Sequence, residues 1–340
     1  MEKFSRLQGA KTQLIMTFGS AMELLLSISA LILTIGVLLP VARIYRRWNT
    51  STETERPELE KTFYLAFAAV IIILGIRLFL VPLYFWTMQG FVPMIPGAMC
   101  LWGVFDSVPE VTWGSLLLKF VLPVAFIGWL LLSFINGKCK THPLMHNMMS
   151  FFIAIVPLVL IDSAMDIYVF SKITPIQVSC CSDAIDVGTR PVPGVIAGIS
   201  GQSLLVVAFL SISAVYTLLL FVSLKRNKAH LLSLVLSIPL AAVLVLTITE
   251  ALTPWLLNLP FHHCPFCLFF EHPLSILFTG LIWFGLATPW LLLITNRLGR
   301  ETAESKDVET QTKKSILTYA GFSMVIALAL IAVDLMMVFT

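Results

Sequence analysis

Long, almost uninterrupted apolar runs alternate with short polar segments along this chain of 340 residues. A helix needs about 20 residues to cross the hydrocarbon core of a bilayer, and each run meets that length. A backbone in lipid must satisfy its own hydrogen bonds, so the runs are predicted to be helices. Eight spans follow, at about 18–42, 63–88, 113–136, 147–170, 197–224, 231–256, 274–295 and 315–338. The pattern predicts an all-α polytopic integral membrane bundle, with residues 1–340 as a single transmembrane domain.

Composition agrees with this class and excludes several functions. Hydrophobic residues make up 58% of the chain and charged residues only 12%, which is far more apolar than a soluble domain. The lipid bilayer is therefore the first predicted partner. No basic run is interleaved with aromatic residues, so a nucleic-acid partner is excluded. No phosphate-binding loop, helix-borne metalloprotease motif or serine nucleophile motif occurs, which argues against an ATP-driven pump or a hydrolase.

Basic residues predict the orientation of the chain. They are concentrated in the loops after the odd-numbered spans, for example at Arg46, Arg47, Lys138, Lys225 and Arg297. Loops rich in lysine and arginine stay in the cytoplasm, so both termini are predicted to face the extracytoplasmic side. The expected location is a bacterial cytoplasmic (inner) membrane. The mixed-charge segment Glu301–Lys314 is predicted to be a mobile, solvated connector on the cytoplasmic side.

Cysteines occur in all three loops that this topology places outside, at about 89–112, 171–196 and 257–273. The outer cysteines are Cys100, Cys180, Cys181, Cys264 and Cys267, whereas Cys139 lies on the predicted inner side, where its role is incidental. Adjacent Cα atoms are about 3.8 Å apart, shorter than the roughly 4.4–6.8 Å of ordinary disulfides. Cys180 and Cys181 are therefore expected to find partners elsewhere, in another loop or in a soft metal ion.

The segment from His262 to Cys267, with the sequence HHCPFC, is the richest in chemistry. Pro265 suits the first position of a short helix, which makes Cys264 the cap residue and places its sulfur near unpaired backbone N–H groups. That setting, with imidazoles nearby, is expected to lower the pKa of the Cys264 thiol and favour attack by the thiolate. Cys267 is then positioned to resolve a mixed disulfide. The tetrapeptide resembles the dithiol of glutaredoxin-type proteins over these four residues.

Ionisable residues inside the apolar runs form a second group of candidates, because a charge at membrane depth usually faces a partner or a cavity. Arg77, Asp162 and Glu250 lie deepest. Glu23, Lys119 and Asp166 lie close enough to span ends to reach the interface by snorkelling. Asp162 and Asp166 are four residues apart on one helical face, where they would repel unless a cation or a proton lies between them. Asp334, in the last span, belongs to the same group.

These observations favour thiol–disulfide redox chemistry between an outer dithiol protein and the membrane. In this hypothesis Cys264 and Cys267 accept electrons and exchange with Cys100, Cys180 or Cys181. The electrons pass to a membrane quinone beside Arg77 or Lys119, whose positive charge stabilises the reduced anion. The arrangement is similar in outline to quinone-coupled disulfide-forming proteins of the DsbB and vitamin K epoxide reductase type, which are four-helix bundles.

Two alternatives stay open. In the first, His262, His263, Cys264, Cys267 and His272 bind copper or zinc, for transport or for assembly of a metal centre. Glu250, Asp162 and Asp166 would then line the route of the metal, and Met94 and Met99 beside Cys100 would suit Cu(I). In the second, disulfides clasp the outer loops of a membrane subunit that docks an extracytoplasmic protein partner.

Overall fold

The computed structural model describes residues 17–48, 55–140, 142–178, 199–225, 227–260, 262–299 and 302–339, and these ranges contain helices and no strand. Eight helical spans are long and apolar enough to cross a membrane, which confirms the predicted all-α integral membrane protein. The helices are α1 (Phe18–Arg47), α2 (Arg56–Phe91), α3 (Leu101–Asp106), α4 (Pro109–Lys138), α5 (Met145–Lys172), α6 (Ile199–Ser223), α7 (Asn227–Thr247), α8 (Thr253–Leu256), α9 (Pro265–Glu271), α10 (Leu274–Leu298) and α11 (Ala303–Phe339).

The sixth span changes its helical register before it ends. A π-helical turn, Ile248–Leu252, joins α7 to α8 without a break. Within it the N–H of Thr253 donates to the carbonyl of Ile248, five residues back. Single π-turns of this kind are rare and occur frequently at functional sites.

The last span begins earlier than the sequence predicted. Glu301–Lys314 was expected to be a mobile connector, but α11 already begins at Ala303 and continues to Phe339. Ser305, Glu309 and Lys313 recur every four residues and are buried, so this polar segment has a packed helical face. The expectation failed because hydropathy detects only the part of a helix that lies in lipid.

Large apolar side chains remain exposed along the spans, as at Leu25, Leu39, Leu65, Leu231 and Met336. A soluble protein would bury such side chains, whereas a membrane helix presents them to lipid tails. These surfaces therefore contact the lipid bilayer.

The chain divides into two compact units. The first comprises residues 1–43, 52–122 and 153–181, and the second comprises residues 44–51, 123–152 and 182–340. Aromatic and aliphatic side chains fill the first unit around Tyr84, whose ring meets that of Phe170 edge to face at 5.8 Å. In the second unit Tyr216 donates to the carbonyl of Gly285 at 3.0 Å. Met324 fills the space that a side chain at Gly285 would occupy.

Candidate functional site

Each unit contains one group of functional side chains. In the second unit, the loop between the π-turn span and α10 carries the HHCPFC segment. In the first unit, charged side chains from α2, α4 and α5 meet inside the membrane-spanning helices.

The dithiol is held by the short helix α9. Cys264 precedes it in an extended conformation, with φ −81° and ψ 112°, and Pro265 opens the helix. Proline is tolerated there because the first N–H groups of a helix have no internal partner. The prediction that Cys264 is the cap residue is confirmed. No hydrogen bond from the Cys264 side chain caps the helix, so the expected lowering of its pKa stays a prediction.

The two thiols differ in accessibility. Cys264 and Cys267 are three residues apart, and their Sγ atoms lie within 4.8 Å of each other. Cys264 is fully buried, whereas Cys267 is partly exposed. Cys267 is therefore the residue of the pair that a reagent or partner protein can reach more easily.

His263 is hydrogen-bonded to a carbonyl of the π-turn that has no backbone donor at the position five residues ahead. In the five-residue register of this turn, the carbonyl of Thr249 would accept from the N–H of residue 254. That residue is Pro254, which has no N–H. The Nδ1 atom of His263 lies 3.1 Å from this carbonyl, and since a carbonyl can only accept, Nδ1 carries the proton. The ring that precedes Cys264 is thus fixed in position and in tautomer.

Buried carboxylates face an imidazole at each end of α9. Glu250, itself buried in the π-turn, places Oε2 3.5 Å from Nδ1 of His263. At the other end of the helix, Nδ1 of His272 lies 4.0 Å from Oδ2 of Asp334 in α11. Either imidazole, once protonated, would form an ion pair with its carboxylate. Sequence reasoning did not pair Glu250 with His263, because the chain turns back at residues 257–260 before it reaches His263.

In the second unit the sulfurs of Cys264 and Cys267, within 4.8 Å of each other, could both bind a metal ion, whereas His263 as a ligand stays a prediction. With Nδ1 of a neutral His263 donating to Thr249, the lone pair of Nε2 is the one available to a metal. Sulfur and imidazole donors suit zinc or copper. His262 and His272, the other predicted ligands, are only partly buried, and their participation stays a prediction.

Cys100 lies in the first unit, in the loop between α2 and α4. It is buried and precedes α3 in an extended conformation. The loop is tied to the segment after α5, since the N–H of Val178 donates to the carbonyl of Pro96 at 3.0 Å. Nearby, Met94 and Met99 are exposed. Cys180 and Cys181 lie outside the described residues, so their predicted roles stay predictions.

A buried ion cluster occupies the interior of the first unit. Nζ of Lys119 lies 2.8 Å from Oδ1 of Asp162 and 2.7 Å from Oδ2 of Asp166. Nη1 of Arg77 lies 2.9 Å from Oδ2 of Asp162 and 3.2 Å from Oδ2 of Asp166. The prediction that a cation separates the two aspartates is therefore confirmed, and two cations do so. We call Arg77, Lys119, Asp162 and Asp166 the ion quartet.

The quartet corrects the expectation that the residues near span ends snorkel. Glu23 and Asp166 have no exposed surface, and Lys119 is only 3% exposed. Lys119 turns inward because two carboxylates at hydrogen-bond distance replace its hydration. Both Arg77 and Lys119, predicted to stand beside a quinone, are paired with these carboxylates, and a quinone contact for them stays a prediction.

Several hydroxyl groups that sequence reasoning missed complete the cluster. Ser27 and Ser115 each donate to Asp166 at 3.3 Å, to Oδ2 and Oδ1 respectively. Ser163 contacts Nη2 of Arg77, and Nζ of Lys119 lies 5.1 Å from the centre of the Tyr84 ring. A signal for two of these serines exists in the sequence, because Ser27 follows Glu23 by four residues and Ser115 precedes Lys119 by four.

Comparison of the chain with protein-family models, with curated proteins and with solved structures found no match.

Proposed function

We propose that this membrane protein carries out thiol–disulfide exchange through Cys264 and Cys267. One observation carries the proposal. The two sulfurs lie within 4.8 Å, one helical turn apart, with unequal accessibility. A pair so placed can form a disulfide after a modest movement, since a bonded S–S distance is about 2.0 Å.

The unequal burial of Cys264 and Cys267 supports one order of attack. Exchange proceeds through a mixed disulfide with the partner. Cys267, the exposed member, forms that mixed disulfide, and buried Cys264 is the sulfur that resolves or releases it. This order is the reverse of the one expected from the sequence, in which Cys264 met the partner.

The exchange balances as a transfer of two electrons and two protons. A dithiol protein on the outer side is oxidised to its disulfide, and the Cys264–Cys267 disulfide is reduced to two thiols. A membrane quinone then takes up two electrons and two protons as the pair returns to the disulfide. His263 supports the reaction as a positioning residue, because its ring is anchored to Thr249 and faces the carboxylate of Glu250.

Trapping of the mixed disulfide tests this proposal. In Cys264→Ser the resolving sulfur is missing, so the Cys267 thiolate should attack the disulfide of an oxidised outer partner or of an oxidised model peptide, release one thiol and accumulate as the mixed disulfide. Cys267→Ser should form no adduct, and Cys139→Ser, the matched control, should behave like the parent chain. Adducts on Cys264 but not on Cys267 would reverse the order of attack. The absence of adducts from both variants would refute the exchange function.

A separate experiment on the parent protein identifies the cysteine that exchanges with the dithiol. Cys100, Cys180 and Cys181 are the candidates from the sequence. Peptide mapping of the oxidised protein without reductant shows which of them is joined to the dithiol.

Metal binding is a second candidate function, favoured by the two sulfurs that lie within 4.8 Å of each other. If the segment binds copper or zinc, the purified protein should hold the metal in a constant ratio to the chain. His263→Ala and Cys267→Ser should both lower that ratio. In the redox function, His263→Ala should instead slow exchange while the metal content stays at background.

The proposal also requires the dithiol to face outward, in the membrane of a bacterium whose outer compartment is oxidising. Labelling of single cysteines tests the orientation, in a background that lacks the native ones. Glu271→Cys should react with a membrane-impermeant maleimide in intact cells, and Lys140→Cys only after the cells are opened. Both positions are exposed, so the reverse pattern would show that the orientation is inverted.

A further inference from the structure

Glu23 is an ionisable residue near the ion quartet whose carboxyl group has no hydrogen-bond partner in the described part of the chain. It lies in α1 and has no exposed surface. A buried carboxylate without a partner is costly, more so between lipid-embedded helices, and calls for a specific cause.

The side chain of Glu23 faces the quartet. Ser27 follows it by one helical turn on the same face of α1, and Ser27 donates to Oδ2 of Asp166. The carboxyl group of Glu23 interacts electrostatically with Asp166, Lys119, Arg77 and Asp162. Tyr84, which lies against Lys119, is a further titratable group close to Glu23.

The charges of the ion quartet leave no cation to balance an ionised Glu23. Arg77 and Lys119 balance Asp162 and Asp166, and their donors are directed at those two aspartates. An ionised Glu23 would add one negative charge that no cation in the cluster is left to balance. A bound proton removes that charge and supplies a donor at the same time.

We propose that Glu23 is a proton-binding residue, whose carboxyl group holds an exchangeable proton against the neutral ion quartet. The site is independent of the dithiol and of its exchange function. Its ligand is a proton because the quartet already contains two cations.

The polar groups around Glu23 indicate the direction from which the proton arrives. The buried residues Tyr84 and Thr87 carry hydroxyl groups. They lie between the level of Glu23 and the end of the first unit at which α1 begins and α2 ends. Thr87 lies against Gly19, and Thr17 and Ser20 are hydrogen-bonded at the start of α1. In the opposite direction the buried side chains are mainly aliphatic, among them Val70, Ile73, Leu74, Val156 and Val159. The proton therefore exchanges with the side on which α1 begins, which the sequence predicts to be the outer one.

Infrared spectroscopy of the full chain in lipid nanodiscs tests the assignment. At neutral pH the parent protein should show the C=O stretch of a protonated carboxylic acid, which shifts in D₂O. Glu23→Gln should lose this band, and the exposed control Glu60→Gln should keep it. Glu23→Asp retains a carboxyl group, so it should move the band without abolishing it. A parent spectrum without the band, or one unchanged in Glu23→Gln, would overturn the proposal.

Two further measurements test the charge balance and distinguish a bound proton from a bound metal cation. Asp166→Asn tests the charge balance: it removes one negative charge from the quartet, so Glu23 can ionise and the band should disappear. If the band persists in Asp166→Asn, the charge balance is not its cause and the proposal fails. Loss of the band on adding sodium at constant pH, but not on adding choline, would show that a metal cation occupies the site instead.

Exchange kinetics test the direction of entry. Thr87→Val should slow the shift of the band in D₂O. Thr34→Val, on the aliphatic side of Glu23, is the matched control and should leave the rate unchanged, because the Thr34 hydroxyl donates to the carbonyl of Ala30 in its own helix. A slower rate in Thr34→Val alone would place the entry at the opposite side.

Discussion

His263 donates the Nδ1 proton of its ring to the backbone oxygen of Thr249, 3.1 Å away. Thr249 depends on this donor because Pro254 cannot supply an N–H in the π-turn register. The sequence places a proline in the span and a histidine beside the dithiol. In the structure, the ring of His263 supplies the hydrogen bond that Pro254 cannot make.

This replacement predicts a coupling between residues 254 and 263. His263→Ala should lower the free energy of unfolding by about 1 kcal/mol, because a partly buried carbonyl loses its donor. In a Pro254→Ala background the new N–H can donate to Thr249, so the same His263→Ala change should cost less. Reversible unfolding in mixed micelles measures both differences. Equal costs in the two backgrounds would show that His263 does not satisfy this carbonyl.

Removal of the central cation should destabilise the first unit strongly. Lys119→Met leaves Asp162 and Asp166 buried beside Arg77 alone, and breaking such a buried pair costs about 3–5 kcal/mol. The double change Lys119→Met with Asp162→Asn should recover part of that loss, since the charges balance again. Thermal unfolding checks this, with the exposed Lys172→Met as the control. A double variant no more stable than Lys119→Met would contradict the charge-balance account.

Cys139 is expected to react slowly with alkylating reagents. Burial, and then the nearby Glu304 carboxylate, raise the pKa of the Cys139 thiol, so less thiolate is present at a given pH below that pKa. Glu304→Gln removes the charge while its amide oxygen can still accept from the Lys140 N–H, now 3.0 Å from Oε1. The pKa should fall and alkylation at mildly alkaline pH should quicken.

The pH dependence of the alkylation rate gives the result directly. In Glu304→Gln the inflection should move to lower pH. The exposed neighbour Asp307→Asn serves as the control and should leave the inflection in place. An equal shift in both variants would mean that general surface charge, and not Glu304, acts on Cys139.

The loop that carries Cys100 should not tolerate a side chain at Gly97. This glycine has φ +90°, and a Cβ atom there would collide with the carbonyl oxygen of Val178. Gly97→Ala should therefore lower the unfolding temperature. Gly90→Ala is the matched control, because a Cβ at Gly90 meets nothing within 4 Å and alanine favours a helix by about 1 kcal/mol. Unfolding temperatures of the two variants should thus move in opposite directions.

Parts of the candidate sites could be read from local spacing. Pro265 after Cys264 is enough to predict the cap of α9, because proline has a fixed φ and no N–H. Asp162 and Asp166, one turn apart, are enough to predict a neutralising group between them. Which group neutralises them could not be read, since Arg77 and Lys119 come from two other helices.

Other parts depended on burial that no local pattern reports. The sequence favoured Cys264 as the attacking thiol, and only packing makes Cys267 the more accessible residue of the pair. Glu23 and Lys119 were expected to reach the interface, but partners in neighbouring helices bury them. The polar start of α11 was missed because its buried face is formed by Ser305, Glu309 and Lys313, which a hydropathy profile scores as solvent-exposed.

By itself, the sequence determined that this protein is a helical membrane protein with eight spans, because the length and apolar character of a run are enough to satisfy a bilayer. It also determined which segments carry thiols, imidazoles and buried charges. Only the tertiary structure decided which charges neutralise one another, which carboxyl group is left over and which thiol can be reached. Those outcomes depend on distances of a few ångströms between helices far apart in the chain, and Coulomb and desolvation energies change steeply over such distances.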